Sequence, residues 1–313
     1  MKLSIVILNW NAAEDTIRCV GDITSWKRLQ PTIWVVDNAS IDDSAEAIAR
    51  ECPTVRLIRN QANLGFAGGN NQGIDASLAT DNAPILLLNN DAFIEEDDVI
   101  KLIRTLQSNN HIGFVGPLLF DAGNKNKLLS AGGKNPVKHH HSHIYEIPAD
   151  ESIYPVEYIP GTVILGRAEV FRIVGLLDED YFFNMEVADL CMRAKQHGYI
   201  SVIDTRAQAT HALSRSSSFR DALYPYYVIR NRFLFIRKHY AWNVFLYSFW
   251  MIYSLALWLK VQLNGQPRLA LAVFWGLIDG LRGQFGGQNE RVLTKCIEKS
   301  NTSLKSGEAK QLL

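Results

Sequence analysis

Cysteine is scarce. The chain holds four, Cys19, Cys52, Cys191 and Cys296, and no two stand in a C-x-x-C pair. That scatter argues against both a disulfide framework and a zinc site. Excess charge of either sign is missing too: 32 Lys and Arg balance 32 Asp and Glu, so no global field favours nucleic acid and no such partner is expected. The N-terminus lacks the basic region and cleavage site of a secretory signal and starts directly in an apolar strand. A reduced, cytosol-facing compartment fits best, and the N-x-S/T matches at Asn38 and Asn301 are read as accidental.

What is present is alternation. Residues 3–8 read as a strand ending at Asn9-Trp10-Asn11, 12–20 as a helix, and 32–36 as a second strand ending at Asp37-Asn38-Ala39-Ser40. A helix over 42–51 is stopped by Pro53, and 55–58 form a third strand. Strands alternating with helices imply right-handed βαβ units and an α/β fold with a mostly parallel central sheet. The polar strand ends then gather on one edge, where open sheets hold ligands. The uncharged run Ile85-Leu86-Leu87-Leu88 reads as a buried strand that breaks into Asn89-Asn90-Asp91. Asp91 has two readings: a ligand for a divalent metal on a diphosphate, or the cap of a helix beginning at Glu95-Glu96-Asp97-Asp98.

Between these strands lies Asn63-Leu64-Gly65-Phe66-Ala67-Gly68-Gly69-Asn70-Asn71-Gln72-Gly73. It reads as a loop entering a helix, suited to close backbone approach by a ligand and to anion contact at the helix N-terminus. It has neither the glycine spacing of G-x-G-x-x-G nor the Gly-Lys-Ser/Thr of a P-loop, which weighs against a dehydrogenase or a kinase. A helix to about residue 107 and a strand over 112–120 follow. Residues 121–151 are polar, and the cluster His139-His140-His141-Ser142-His143 falls in a loop without a partner carboxylate. Strand character resumes at 158–167. A helix over 185–197 places Glu186 and Asp189 three apart, on one face, next to the aromatic Tyr181-Phe182-Phe183. Paired carboxylates against an aromatic wall suit general-base work; the plainer reading is charge complementing the helix dipole. After a strand over 199–203 comes His211, whose imidazole is acceptable to Mn²⁺.

Taken in order, these segments resemble glycosyltransferase family 2, the GT-A fold, and within it the bacterial rhamnosyltransferase-like branch that builds cell-surface polysaccharide. The matching stretches are 4–11, 35–40, 63–73 and 87–91, then Pro160-Gly161 with Arg167, 182–193, and Tyr227-Val228-Ile229-Arg230-Asn231-Arg232. The resemblance implies that Asp37 binds the nucleobase or ribose of a nucleoside-diphosphate sugar donor, with Asn9, Asn11 and Ser40 nearby. Asn63, Gly65, Phe66, Asn70, Asn71, Asn89 and Asn90 line the same cleft. Asp91 stands at the family's metal-binding aspartate, and His211 completes a site for Mg²⁺ or Mn²⁺. The implied reaction inverts configuration, with dTDP-rhamnose the leading donor. One departure is plain: the family usually has Glu-Asp-x-Asp, whose second residue is taken as the base, and this chain has Glu186-Val187-Ala188-Asp189. Glu186 or Asp189 serves instead, or the base is lost.

Residues 240–259 carry no charged side chain and are rich in Trp, Tyr and Phe; they would just span a bilayer. Arg230, Arg232, Arg237 and Lys238 precede the run and Lys260 follows it. A second apolar run, 269–281, contains Asp279. A single crossing would strand Arg282, Arg291, Lys295, Lys299, Lys305 and Lys310 on the far side, against the positive-inside tendency. The expectation is helices in the cytosolic interface with the basic cluster facing anionic lipid, so that the protein works peripherally or shallowly inserted at the cytoplasmic face of the inner or plasma membrane. A buried helix or a homodimer contact is the alternative. The expected division is a catalytic domain over 1–225 (nucleotide-sugar half 1–120, acceptor half 121–225), a membrane-associating helical region over 226–290 and a polar tail over 291–313. The implied acceptor is a lipid-linked glycan. Rival readings are a catalytically silent sugar-nucleotide-binding paralogue, motivated by Val187, and a sugar-phosphate nucleotidyltransferase. The latter needs a basic Gly-rich stretch after the first strand, where Asn9-Trp10-Asn11 stands.

Overall fold

The computed structural model describes residues 2–149, 151–212, 220–241 and 243–298. Two compact units divide the chain: Met1–Glu179 with Glu186–Ser214, and Asp180–Met185 with Arg215–Leu313.

The first unit opens with β1 (Ser4–Asn9), α1 (Ala13–Thr24), β2 (Thr32–Asp37), α2 (Ser44–Glu51), β3 (Arg56–Arg59), α3 (Gly65–Thr80) and β4 (Ile85–Leu88). β5 (Ala92–Ile94), α4 (Glu96–Ser108), β6 (Ile112–Asp121), β7 (Asn124–Ser130), β8 (Ile153–Val156) and β9 (Val163–Gly166) follow. The unit closes with α5 (Ala168–Val174), α6 (Glu186–Gln196) and β10 (Ile200–His211). The sheet order is β3-β2-β1-β4-β9-β6-β10-β5, with β7 on β6 and β8 on β10. Pairing is parallel from β3 to β4; β9 then runs antiparallel to both β4 and β6. The parallel half is the arrangement that the sequence alternation implies, and the inserted β9 makes the whole sheet mixed. Ile5, Val6, Ile7, Ile85 and Leu86 are all 0% exposed, so β1 and β4 are covered on both faces.

Two local expectations need correction. The Gly/Asn-rich stretch is mostly helix, since α3 starts at Gly65. A Cβ on Gly69 would lie 2.5 Å from Leu8 Cδ1, and one on Gly73 would lie 2.4 Å from Val6 Cγ1, so these glycines let α3 lie close on the sheet. The polar segment 121–151 is no plain loop either: β7 forms a hairpin with β6, and Gly133 bridges to His143 and Tyr158.

In the second unit α7 (Arg220–His239), α8 (Val244–Leu263), α9 (Pro267–Arg282) and α10 (Asn289–Glu298) pack with the segment 180–185. α7 runs across position 225. The tail expected from 291 begins inside α10, whose Val292 and Cys296 are 1% exposed; 299–313 lie outside the described residues. The second apolar run is α9, which buries Ala270, Ala272, Val273, Leu277 and Asp279 and is therefore a core helix of this unit. α8 differs. It is long and apolar enough to cross a bilayer by length and composition, and it buries only Trp250, Ser254 and Val261.

Candidate active site

The register of β1 on β2 sets Asn9 beside Asp37. Asn9 Nδ2 donates to Asp37 Oδ1 at 2.8 Å, the Ser40 hydroxyl donates to the same oxygen at 2.6 Å, and the Ser40 N–H donates to Oδ2 at 3.1 Å. Asp37 is 3% exposed, so these donors replace the water its carboxylate gives up. The Asn11 N–H donates to Ser40 Oγ at 2.9 Å, and its side-chain carbonyl accepts from the Ile41 N–H at 2.8 Å. Asn11 (φ 51) and Ala39 (φ 60) are left-handed, a backbone cost tolerated because the two turns interlock.

Thr16 extends this network. Its hydroxyl lies 2.8 Å from Asn9 Oδ1 and accepts from Asn90 Nδ2 at 3.0 Å. Asn90, Thr16, Asn9, Asp37, Ser40 and Asn11 thus form one hydrogen-bonded chain across the ends of β4, β1 and β2. Sequence reasoning missed Thr16, whose only signal is its place one turn into the helix after β1. It also missed Asn38 as a tether. Asn38 donates to Asn63 Oδ1 and Gly65 O and accepts from Asn60 Nδ2 and the Leu64 N–H, each at 3.0 Å.

The α3 residues divide. Asn63 accepts from the Gly65 N–H at 2.8 Å and shapes the helix start. Asn70 donates to Phe66 O, and Asn71 donates to Leu177 O at 2.8 Å while accepting from the Leu177 N–H at 3.0 Å. Asn71 is thereby engaged in joining α3 to the segment after α5. Phe66 and Val187 converge on Gly161, where an added Cβ would meet Val187 Cγ2 at 3.0 Å and Phe66 Cζ at 3.4 Å.

The helix-cap reading of Asp91 fails, because β5 intervenes and the N-cap of α4 is Glu95. Antiparallel pairing of β5 with β10 puts His211 opposite Ala92, and His211 Nε2 lies 3.0 Å from Asp91 Oδ1. That nitrogen is buried and the approach lacks hydrogen-bond geometry, so the two atoms stand close without satisfying each other. The Asn89 N–H is used by Thr162 O at 3.0 Å. Among the described residues no three His, Cys, Asp or Glu side chains converge as a metal cluster. The histidine cluster lies apart in sequence, and His143 packs on Tyr158 with ring centroids 6.0 Å apart.

The two α6 carboxylates have different surroundings. Asp189 is 0% exposed and pairs with Arg193 at 2.7 Å, and the guanidinium also donates to Val174 O, Gly175 O and Leu176 O. Glu186 is 6% exposed and its Oε2 has no hydrogen-bond partner among the described residues. Burial, with a smaller push from Asp189, raises its pKa to about 7. A carboxyl that titrates near neutrality can accept a proton at working pH; one locked to an arginine is structural.

A parallel half followed by an antiparallel β9 and a long β10 defines a GT-A type glycosyltransferase fold, and solved structures agree. The mannosyltransferase PcManGT from Pyrobaculum calidifontis, in complex with GDP-Man and Mn²⁺, superposes with TM-score 0.58 over 90% of this chain and 87% of its own, at 12% identity. GalNAc-T7 with UDP, GalNAc and Mn²⁺ gives TM-score 0.56 at 16% identity over 68% of this chain, which spans only 44% of that one. The model of glycosyl transferase family 2 matches residues 4–172, and the chain belongs to that family. It is a glycosyltransferase. Relatives include the low-salt glycan biosynthesis hexosyltransferase Agl10 of Haloferax volcanii, 26% identical over 91% of this chain and 92% of its own. The dTDP-rhamnosyl transferase RfbF of Shigella flexneri is 25% identical over 90% and 96%. An N-acetylglucosaminyl-diphospho-decaprenol L-rhamnosyltransferase of Mycobacterium tuberculosis is 23% identical over 77% and 86%.

Proposed function

We propose that the protein transfers a sugar, with rhamnose from dTDP-rhamnose the first candidate, from a nucleoside-diphosphate donor to a lipid-linked glycan, with inversion, in cell-surface polysaccharide synthesis. The observation that carries this reading is the hydrogen-bonded chain from Asn90 to Asn11 across three strand ends, with Asp91 and His211 beside it. Asp37 and Ser40 would hold the nucleoside. The RfbF and M. tuberculosis names supply the rhamnosyl and polyprenyl-diphosphate elements of the proposal.

Asp91 and His211 suit a divalent cation: a carboxylate oxygen and an imidazole nitrogen, 3.0 Å apart and mutually unsatisfied, are donors that Mn²⁺ accepts. Bound there, the cation would offset charge on the departing diphosphate. Glu186 is the proposed base. Its unpartnered Oε2 takes the proton from the acceptor hydroxyl as that oxygen bonds to the anomeric carbon and the nucleoside diphosphate leaves from the opposite face.

Membrane attachment is supported by α8, where Phe245 (86% exposed), Phe249, Ile252, Leu259 and Leu263 recur at helical spacing on one outward side. We infer that this side lies in the cytosolic membrane interface. A second reading, the silent sugar-nucleotide-binding paralogue, is favoured by the burial of Val187 where the family's base is expected.

The test is metal-dependent donor hydrolysis and transfer by purified protein, screened over dTDP-, UDP- and GDP-sugars with Mn²⁺ or Mg²⁺. Asp91→Ala is expected to lower turnover about 100-fold or more. Tight donor binding without turnover on any acceptor selects the silent paralogue; absence of donor binding overturns both.

A further inference from the structure

Four cations precede α8 in sequence, and the expectation that they face lipid together does not survive the structure. Arg230 is 0% exposed and donates to Asp180 O, Tyr181 O and Gly286 O. Arg237 donates to Tyr247 Oη at 2.6 Å and Leu281 O at 2.7 Å, and Lys238 lies 5.4 Å from the Tyr181 ring centre. Arg230 and Arg237 thus serve carbonyls and a hydroxyl of the second unit, while Lys238 stays exposed beside the Tyr181 ring.

Arg232 is different. It is half-buried on α7, and among the described residues neither a carboxylate nor a carbonyl accepts from its guanidinium. Aromatic faces hold it instead: its Cζ stands 4.0 Å from the ring centre of the fully buried Trp250 and 5.9 Å from that of Tyr253. Desolvation, which the nearby Tyr253 and Tyr224 only partly offset, pushes its pKa down to about 10. The charge therefore persists at neutral pH with no counter-ion beside it among the described residues. Beside it lies apolar surface. Phe249, 52% exposed, packs 5.1 Å from Trp250 and 6.4 Å from Tyr253, and starts the outward row that continues through Ile252 and Leu259.

We infer that Arg232 is an anion site for the diphosphate of an isoprenoid lipid, whose chain lies along the exposed side of α8. A guanidinium over the Trp250 ring is a planar, rigid fork of N–H donors whose geometry matches two phosphate oxygens. Diffuse attraction to bulk anionic lipid uses exposed, hydrated cations; a desolvated, aromatic-walled one suits a single headgroup. An amphiphile with a charged head and an apolar tail satisfies both halves of the surface at once. This inference rests on the lipid-linked acceptor reading and supplies that acceptor's binding group.

Calorimetric titration of the full chain with farnesyl diphosphate, in metal-free buffer so that the donor site does not retain it, tests the assignment. Inorganic diphosphate is titrated in parallel. Wild type is expected to bind farnesyl diphosphate, and bind it at least about tenfold more tightly than inorganic diphosphate. Arg232→Met should lose about tenfold or more, with Arg232→Lys between them. Arg232→Met replaces a charge that has no ion pair among the described residues by an apolar group of similar reach, so it should melt at or above wild type; if it misfolds, the Lys variant carries the comparison. Equal binding by wild type and folded variant overturns the assignment, as does equal affinity for inorganic diphosphate. Flotation on phosphatidylcholine vesicles that depends only on added phosphatidylglycerol, with no farnesyl diphosphate binding, overturns it in favour of bulk anionic lipid. A dimer that farnesyl diphosphate cannot dissociate, formed through α8, overturns it in favour of a second copy. Nucleotide-sugar binding by wild type is measured separately, and its absence would sink the transferase reading while leaving the lipid result standing.

Discussion

Glu186→Gln probes the proposed base through two independent readouts. The carboxyl is 6% exposed with a pKa near 7, against an ordinary value of 4.5. Below pH 4.5 it is protonated in folded and unfolded chains alike and contributes no pH dependence. Between 4.5 and 7 the folded state keeps a proton that the unfolded state has lost, so stability falls as pH rises, and above 7 the full cost is in place. The difference between these values corresponds to about 3 kcal/mol. Glutamine cannot ionise, so the variant lacks this fall. The melting temperature of Glu186→Gln relative to wild type should rise by roughly 6–12 °C between pH 4 and pH 8.

Activity should move the opposite way. If Glu186 takes the acceptor proton, wild-type kcat/KM rises about tenfold per pH unit below 7 and levels off above it, while the variant is slower by about 10²–10⁴-fold at pH 8. Scanning calorimetry across pH and a transfer assay on the same preparations measure both. A pH-independent difference in melting would refute the buried-carboxyl argument. Transfer retained within a few-fold would refute the base assignment even if the melting behaves as expected.

Two other substitutions separate scaffold from chemistry. Asp189→Asn breaks a buried ion pair and should cost about 3–5 kcal/mol, seen in chemical unfolding, while turnover per folded molecule persists. Asn231→Ala removes the amide that donates to Tyr181 O, Phe183 O and Asn184 O, beneath Phe182, Asn184 and Met185, all at positive φ. It should cost about 1–3 kcal/mol in unfolding and increase proteolysis within 181–185.

Much of the first unit was legible because its signals are local. Apolar runs of strand length, punctuated by Asn9, Asp37 and Asn89, directly give the parallel half and the edge where its polar strand ends gather. The Gly/Asn-rich stretch misled because glycine has two uses. Spacing in sequence does not tell a loop that a ligand approaches from a helix that a sheet approaches, and Gly69 and Gly73 serve the second. The partnership of Asp91 with His211 spans 120 positions and exists only because β10 pairs antiparallel with β5. Glu186 and Asp189 look equivalent as a pair on one helix face. What distinguishes them is Arg193 one turn on, whose guanidinium also holds three carbonyls at the end of α5 and just beyond it, and no periodicity shows that. In the second unit the basic run before α8 reads as a lipid-facing patch, yet burial turns Arg230 and Arg237 inward. Charge on a helix is a surface signal only until the carbonyls of a neighbouring loop need donors.

Val187 decides between the two functional readings, and Val187→Asp is the substitution that forces the choice. The side chain is 4% exposed and touches the space above Gly161 that Phe66 also lines. An aspartate there enters an apolar contact beside Glu186, whose Oε2 has no hydrogen-bond partner among the described residues. Two carboxylates so placed do not both ionise readily, so the variant should hold at least one proton at neutral pH. Even protonated, an unpartnered polar group costs about 1–3 kcal/mol in such a site. If Glu186 is the base, the variant should unfold more easily and turn over more slowly, since the second carboxyl raises the pKa of the first and leaves less of it ionised at pH 7. If the chain is instead a silent paralogue that lost its base at 187, Val187→Asp should create transfer where wild type has none. The sign of the change in turnover, read beside an unchanged donor affinity, separates the two, because destabilisation alone lowers the amount of active protein and cannot produce a gain.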